Sequence, residues 1–313
     1  MSIYNTPPYS INLLDTNSWE LNSLDIWKDS HRIAFQRQAE KFKPFPEHDL
    51  NTQLQCEALK LLKYFKDFQL PLKKVHHQPY MVITELPIDP KLPAPPTNGQ
   101  RPKEKNTWIS ELLLLCLSKI ANLHPPAYKE EKQGDLIHQI APRDGYENTV
   151  SNAGRVTFAL HTDAAILKPP YTPEFLLVLG LLNEHDTPTY LASLDEILAQ
   201  LTPNDIQILS EPRFHVESPG VMKIWGGKII RSERRPLITI DQDQCATINA
   251  HLHTTKATDP VAELALSALK DAANKVARSV SISPGTLVIL NNFQCMHGRS
   301  EVTGQRWLQR LYV

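Results

Sequence analysis

From residue 134 onward the chain is written in short apolar segments closed off by turn residues: DLIHQI, RVTFALHTD, FLLVLGLL, GKIIRS, PLITIDQ, GTLVILNN and RWLQRLYV. Segments of this length and alternation read as strands, since a buried helix needs a longer run. Two helical stretches interrupt them: residues 193–200, where Ser193 and Glu196 have capping-box spacing, and residues 259–277. A doubly wound parallel sheet would need a helix between successive strands. The pattern therefore predicts an antiparallel barrel or jelly roll, a mainly β core with flanking helices (α+β).

The first half reads differently. Residues 28–44 and 53–68 carry apolar residues at helical intervals, with Leu54, Ala58, Leu61, Leu62 and Phe65 on one stripe. Residues 107–123 repeat the pattern, with Asn106 or Thr107 as N-cap. Between Pro87 and Pro102 stand six of the 25 prolines, which exclude regular helix and central strand alike and predict an ordered loop or a lid. The organisation expected is one domain over 1–313, with residues 1–130 a mostly helical buttress and residues 134–313 the barrel. Residues 212–236, punctuated by Pro and Gly, are a candidate lid.

Composition narrows the partners. With 33 Lys and Arg against 34 Asp and Glu, the formal charge is −1, so no strong field points to nucleic acid or to an anionic membrane. A small-molecule substrate is expected. Cys56, Cys116, Cys245 and Cys295 are scattered without C-x-x-C spacing, which fits a reduced, cytoplasmic protein, and no signal peptide or membrane span is visible.

The chemistry starts at His161-Thr162-Asp163, at the end of a predicted strand. Side chains at i and i+2 share a face, so an imidazole and a carboxylate there can hold one metal together. With a third ligand they form the facial triad of two histidines and one carboxylate that leaves three positions open for co-substrate and dioxygen. Alone the motif is weak: with 12 histidines and 34 acidic residues, about one H-x-[DE] is expected by chance, and His215-Val216-Glu217 is a second. A solvated surface strand is the bland alternative. Support comes from the C-terminus, where a strand, a turn through Asn291 and Asn292, and His297-Gly298 precede a closing strand. On that strand Arg306, Leu308 and Arg310 share a face, and two guanidiniums facing a barrel interior need anionic partners.

These ordered motifs, with ELPIDPKLP, GDLIHQIAPRDG, PEFLLVLGLL, TPTYLAS and NNFQCMHGR, resemble the clavaminate synthase-like branch of the taurine dioxygenase-like iron(II)/2-oxoglutarate oxygenases over roughly residues 80–313. The resemblance implies a double-stranded β-helix (jelly-roll, cupin-like) core buttressed by N-terminal helices, with Fe(II), 2-oxoglutarate and dioxygen as cofactor and co-substrates. It makes His161, Asp163 and His297 the iron ligands. It gives Arg306 and Thr189 to the distal carboxylate of 2-oxoglutarate. Arg310 and Ser151 go to the carboxylate of an amino-acid substrate, and Asp241 and Asp243, taken as same-face neighbours on a strand, to its cationic end. The implied reaction is hydroxylation of a free amino acid, arginine-like or lysine-like, with a neutral amino acid such as asparagine as the alternative. This chain departs from several relatives in carrying Asp163 where they have glutamate. Two other classes compete: a catalytically silent 2-oxoglutarate- or metal-binding barrel, and a zinc hydrolase using the same donor set.

Overall fold

The computed structural model describes residues 20–46, 48–126, 134–168, 170–218 and 230–313. Its strands fall into two larger sheets and two small hairpin-like pairs. The major sheet has the order β1 (Glu20–Asn22), β2 (Tyr80–Thr84), β12 (Leu287–Asn291), β5 (Phe175–Asn183), β14 (Arg306–Tyr312) and β3 (Ile137–Ile140). Apart from the parallel β1–β2 pair its neighbours run antiparallel. The minor sheet is antiparallel with the order β11 (Arg278–Ser281), β6 (Pro188–Ser193), β13 (Cys295–Arg299) and β4 (Phe158–His161). The pairs are β7 (Phe214–Val216) with β10 (Thr255–Ala257), and β8 (Ile238–Ile240) with β9 (Ala246–Ile248).

Alternation along these strands sorts side chains into three apolar clusters. An inner one joins the two sheets, with Val82, Ile140, Leu176, Val288 and Leu308 meeting Leu191 and Cys295. Outside the major sheet, Trp307, Leu311 and Leu177 pack on α2 (Asp29–Lys41), α3 (Leu50–Leu61) and α5 (Ile109–Ile120). Outside the minor sheet, Ala192 and Met296 pack on α6 (Leu194–Leu198), α7 (Pro203–Leu209) and α8 (Pro260–Val276). Two short helices, α1 (Ser23–Ile26) and α4 (Gln69–Lys73), complete the N-terminal set.

The predicted N-terminal helices are present, and the expected stripe of α3 buries Leu54, Ala58 and Leu61. The capping details differ. Ser193 precedes α6 but makes no side-chain cap, and Glu196 instead pairs with Arg278. Neither Asn106 nor Thr107 caps α5. The carboxylate that does so is Asp89, which accepts from the Ile109 and Ser110 N–H groups at 3.2 Å and from the hydroxyls of Thr107 and Ser110 at 2.6 Å.

Of the two readings of the Pro-rich segment, an ordered loop or a lid, these contacts support the ordered loop. Asp89 is 3% exposed and pairs with the buried Lys105 at 2.8 Å; Lys105 also pairs with Glu111, to which Arg101 and Gln309 donate. Burial pushes the Asp89 carboxyl upward, but Lys105 and the hydroxyl donors outweigh it and hold the group below the usual carboxylate range. The prolines stiffen a strap fastened to α5, whose Glu111 also accepts from Gln309 of β14. All four cysteines are free, and among the described residues no helix is long and apolar enough to cross a membrane.

Candidate metal centre

Between the two sheets lies a pocket lined by His161, Asp163 and His297 together with Thr189, Arg306 and Arg310. His161 ends β4, directly opposite His297 on β13. The sequence reading gave His297 no element of its own; here it lies on a strand hydrogen-bonded on both sides, by β4 and by β6. Gly298 beside it permits that closeness, since a Cβ there would sit 2.6 Å from the Phe158 carbonyl oxygen.

Asp163 lies just beyond the end of β4, in a turn where Ala164 takes φ 53°. Its backbone is fixed by Asn292, which is fully buried. The Asp163 N–H donates to Asn292 Oδ1 at 2.8 Å, and Asn292 Nδ2 donates to the carbonyls of Asp163 and Pro173, each at 3.0 Å. Asn292 was legible in the sequence only as a turn residue, yet it holds the backbone of the candidate ligand Asp163 in place.

The donor atoms converge. Asp163 Oδ1 is 3.4 Å from His161 Nε2 and 3.8 Å from His297 Nε2, and all three ligand atoms lie within 4.8 Å of one another. Two bonds of about 2.1 Å reach up to about 4.2 Å, enough for the 3.4 and 3.8 Å separations. His161 Nδ1 is 2.9 Å from the Ala159 carbonyl, which can only accept, so Nδ1 carries the proton and the Nε2 lone pair faces the site. Burial, with His161 adjacent, pushes His297 down to about 3, which keeps it neutral and able to ligate. Burial would raise the Asp163 carboxyl, but Arg310 and both imidazoles more than reverse this and hold it well below the usual carboxylate range. Two imidazoles and one anionic carboxylate fit a divalent transition metal, iron(II) included.

Arg310 is placed differently from its expected role. Its Nη1 donates to Asp163 Oδ2 at 2.7 Å, its Nη2 is 3.0 Å from His138 Nδ1, and the guanidinium lies 4.1 Å from the Tyr312 ring centroid. One oxygen of Asp163 thus faces the histidines while the other is held by Arg310. Arg306, two turns of the pleat away on the same face, donates from Nη2 to Thr189 Oγ1 at 3.0 Å. Its Nε has no partner, and it makes no ion pair with any described carboxylate. Burial, with Arg299 nearby, pushes it down to about 9.

Other expected site residues lie elsewhere. Ser151 is buried, but its hydroxyl contacts Thr149 Oγ1 at 3.0 Å and accepts from the Ala153 N–H, while neighbouring Asn152 lines the pocket. The Ser151 carbonyl serves Arg299, whose guanidinium also donates to the carbonyls of Gly154, Arg155, Val156 and Ser300. Asp241 and Asp243 are not strand neighbours. They sit in the exposed turn joining β8 to β9, where Asp241 Oδ1 accepts from the Asp243 and Cys245 N–H groups at 2.9 and 2.8 Å. The D-x-D spacing serves that turn. The second H-x-E pair is also peripheral: His215 contacts the Ser232 carbonyl and Glu217 pairs with Arg231. Of the candidate lid 212–236, the two arms run side by side, with Ser218 N–H donating to Ile230 O, and its tip, 219–229, lies outside the described residues. At its base Arg235 donates to the carbonyls of Ala165 and Leu167, tying the lid arm to the turn that carries Asp163.

A family profile described as taurine catabolism dioxygenase TauD, TfdA family matches residues 118–312. The chain belongs to this family. Its matched span begins within α5 and takes in every residue of the centre. L-asparagine oxygenase of Streptomyces coelicolor is 28% identical over 248 residues, covering 74% of this chain and 70% of the relative. Clavaminate synthase 2 of Streptomyces clavuligerus is 24% identical over 252 residues, covering 75% and 73%. Among solved structures, asparagine oxygenase in complex with Fe(II), 2S,3S-3-hydroxyasparagine and succinate superposes with a TM-score of 0.80 at 21% identity, over 94% of this chain and 93% of the other, a likeness of fold.

Proposed function

We propose that the chain is an iron(II)/2-oxoglutarate-dependent oxygenase that hydroxylates a free amino acid. The observation that carries this reading is the pairing, in one buried pocket, of a His-Asp-His cluster with a guanidinium that has no carboxylate of its own. Burial of an unpaired cation is costly, so Arg306 marks the place of an anionic ligand. With Thr189 it would hold the distal carboxylate of 2-oxoglutarate, while His161, Asp163 and His297 would hold the iron. When bound, iron(II) supplies the redox chemistry that couples oxidative decarboxylation of 2-oxoglutarate by dioxygen to hydroxylation of a C–H bond, giving succinate and carbon dioxide.

The chain's own contribution is positioning in the pocket between the two sheets. Arg310 orients the Asp163 carboxylate and, lining the same pocket, is the candidate for the substrate carboxylate. Ser151 would act beside it only through its loop, since its hydroxyl is turned to Thr149. Asp241 and Asp243 would need their turn to move in order to reach a cationic substrate end. The asparagine oxygenase relative supports a free amino acid as substrate.

The barrel expected from the sequence is proposed as a jelly roll, supported by two largely antiparallel sheets that enclose one apolar cluster. The domain reading, 1–313 as one unit, is supported by a core in which Phe35 and Leu61 from the helices join Trp307 from the last strand. The deciding experiment supplies iron(II), 2-oxoglutarate and each common amino acid in turn and measures succinate and hydroxylated product. Stimulation by at least one amino acid is expected. Silence across all of them, with 2-oxoglutarate left intact, would refute the reading in favour of a binding barrel.

A further inference from the structure

Arg299 closes the motif NNFQCMHGR, and neither the metal centre nor the Arg306–Thr189 pair uses it. It ends β13 directly opposite Thr189 of β6, and opposed residues of antiparallel neighbours project from one face. Thr189 Oγ1 is the acceptor for Arg306 Nη2, so Arg299 lines the pocket beside the pair that marks its anionic end.

Arg299 is 5% exposed, and its guanidinium is given over to main-chain carbonyls. Nη1 donates to those of Val156, Ser300 and Arg155 at 2.8, 2.9 and 3.2 Å, and Nη2 to those of Ser151, at 3.0 Å, and Gly154. Arg155 returns the contact: its Nη1 donates to the carbonyls of Gly304 and Val302 at 3.0 and 3.3 Å, while the Val302 N–H donates to the Arg155 carbonyl at 2.7 Å. Two loops, 151–156 and 300–305, are thus clasped by an arginine from each side. The second runs straight into Arg306, and its far end is fixed as well. Gln305 N–H donates to Glu184 Oε2 at 2.8 Å, and the Gln305 carbonyl accepts from the Glu184 N–H at 3.0 Å. A loop bonded at its start, middle and end leaves the Arg306 backbone little freedom.

Carbonyl dipoles satisfy the donors of Arg299 but leave its charge in place. Arg306 beside it donates to a neutral hydroxyl, so among the described residues neither guanidinium meets a carboxylate. Two like charges at one end of a buried pocket repel, and an anion seated against Arg306 relieves both. We propose that Arg299 is a positioning residue for the co-substrate: its clasp with Arg155 fixes where Arg306 stands, and its own unopposed charge strengthens the hold on a distal carboxylate. This inference rests on the hydroxylase reading above, and it gives a role to a residue that touches neither the metal ligands nor Thr189.

The test compares the parent with Arg299→Met, Arg299→Lys and Arg155→Met. Calorimetry on the anaerobic iron(II) protein measures binding of 2-oxoglutarate and of 2-oxopentanoate, which has a methyl group where 2-oxoglutarate has its distal carboxylate. Thermal unfolding of each apo variant runs alongside. The preference for 2-oxoglutarate over 2-oxopentanoate should fall at least about tenfold in Arg299→Met. It should fall less in Arg299→Lys, which keeps the charge and loses most of the clasp, and in Arg155→Met, which keeps Arg299 and loosens only the loop. These two milder variants carry the test should Arg299→Met fail to fold. A merely structural role would weaken both 2-oxo acids alike, and an unchanged ratio in every folded variant would overturn the proposal. If the parent itself neither binds 2-oxoglutarate nor converts it to succinate with any amino acid, the hydroxylase reading falls and the role of Arg299 with it. If the parent does both but the ratio ignores positions 299 and 155, the role of Arg299 alone falls.

Discussion

Replacing Asn292 by alanine should loosen the metal centre without touching a ligand. The side chain is fully buried and makes three hydrogen bonds: one from the Asp163 N–H at 2.8 Å, and two to the carbonyls of Asp163 and Pro173 at 3.0 Å. Each buried backbone group left without a partner costs about 1–3 kcal/mol. A water entering the vacated space can satisfy one or two of the three, so the net loss is expected near 2–4 kcal/mol. At about 2–4 °C per kcal/mol for a chain of this size class, the apo protein should melt roughly 4–16 °C lower. Because the lost bonds fix Asp163, iron(II) affinity should fall as well. Asn292→Asp keeps the acceptor for the Asp163 N–H but sets an oxygen against two carbonyl oxygens, so it should be no better than alanine. Thermal unfolding of the apo proteins and anaerobic iron(II) titration measure the two effects. An alanine variant that melts within about 1 °C of the parent and binds iron equally well would refute the reasoning.

His161→Ala and His297→Ala should each abolish iron-dependent turnover and weaken iron(II) binding, because two protein ligands cannot hold the facial arrangement, whereas His215→Ala, remote from the centre, should titrate with iron(II) like the parent. Arg306→Ala should raise the 2-oxoglutarate requirement about 30-fold or more, the loss expected for one partner of a buried charge-assisted pair, as read from succinate release against 2-oxoglutarate concentration. Arg310→Ala should instead lower iron(II) affinity, since Arg310 holds Asp163 Oδ2, and identical 2-oxoglutarate and iron(II) profiles in the two variants would refute that division. In the strap, the folded pKa of Asp89 lies below its ordinary value of 3.8, so its contribution to stability is complete above that value and is lost as pH falls below it through the folded pKa. Asp89→Asn should therefore melt lower than the parent at pH 7, with the gap narrowing at pH values below 3.8, and a gap that stays constant down the acid limb would contradict the assignment.

The sequence by itself determined most of the local elements and the candidate metal ligands, which the fold brings together. Period and length separated the N-terminal helices from the C-terminal strands because burial of one face imposes that period whatever lies opposite. His161, Asp163 and His297 were legible because a facial triad restricts both residue type and spacing. Arg306 and Arg310 were legible as a same-face pair on β14, and both line the pocket. What only the tertiary structure decided is which distant side chain meets which orphan group. Asp89 caps α5 from 20 residues upstream and turns a proline-rich loop into a strap. Asn292 fixes the backbone of a ligand 129 residues away. His251 lies opposite His161 through a single bridge between segments that no local pattern links. Conversely, Asp241-Gln242-Asp243 read as a cation-binding strand face, whereas the chain uses Asp241 to close its own turn. The physical reason is the same in each case: periodicity reports a face that must be buried, but a hydrogen-bonding side chain reports only that it needs a partner, and packing supplies that partner.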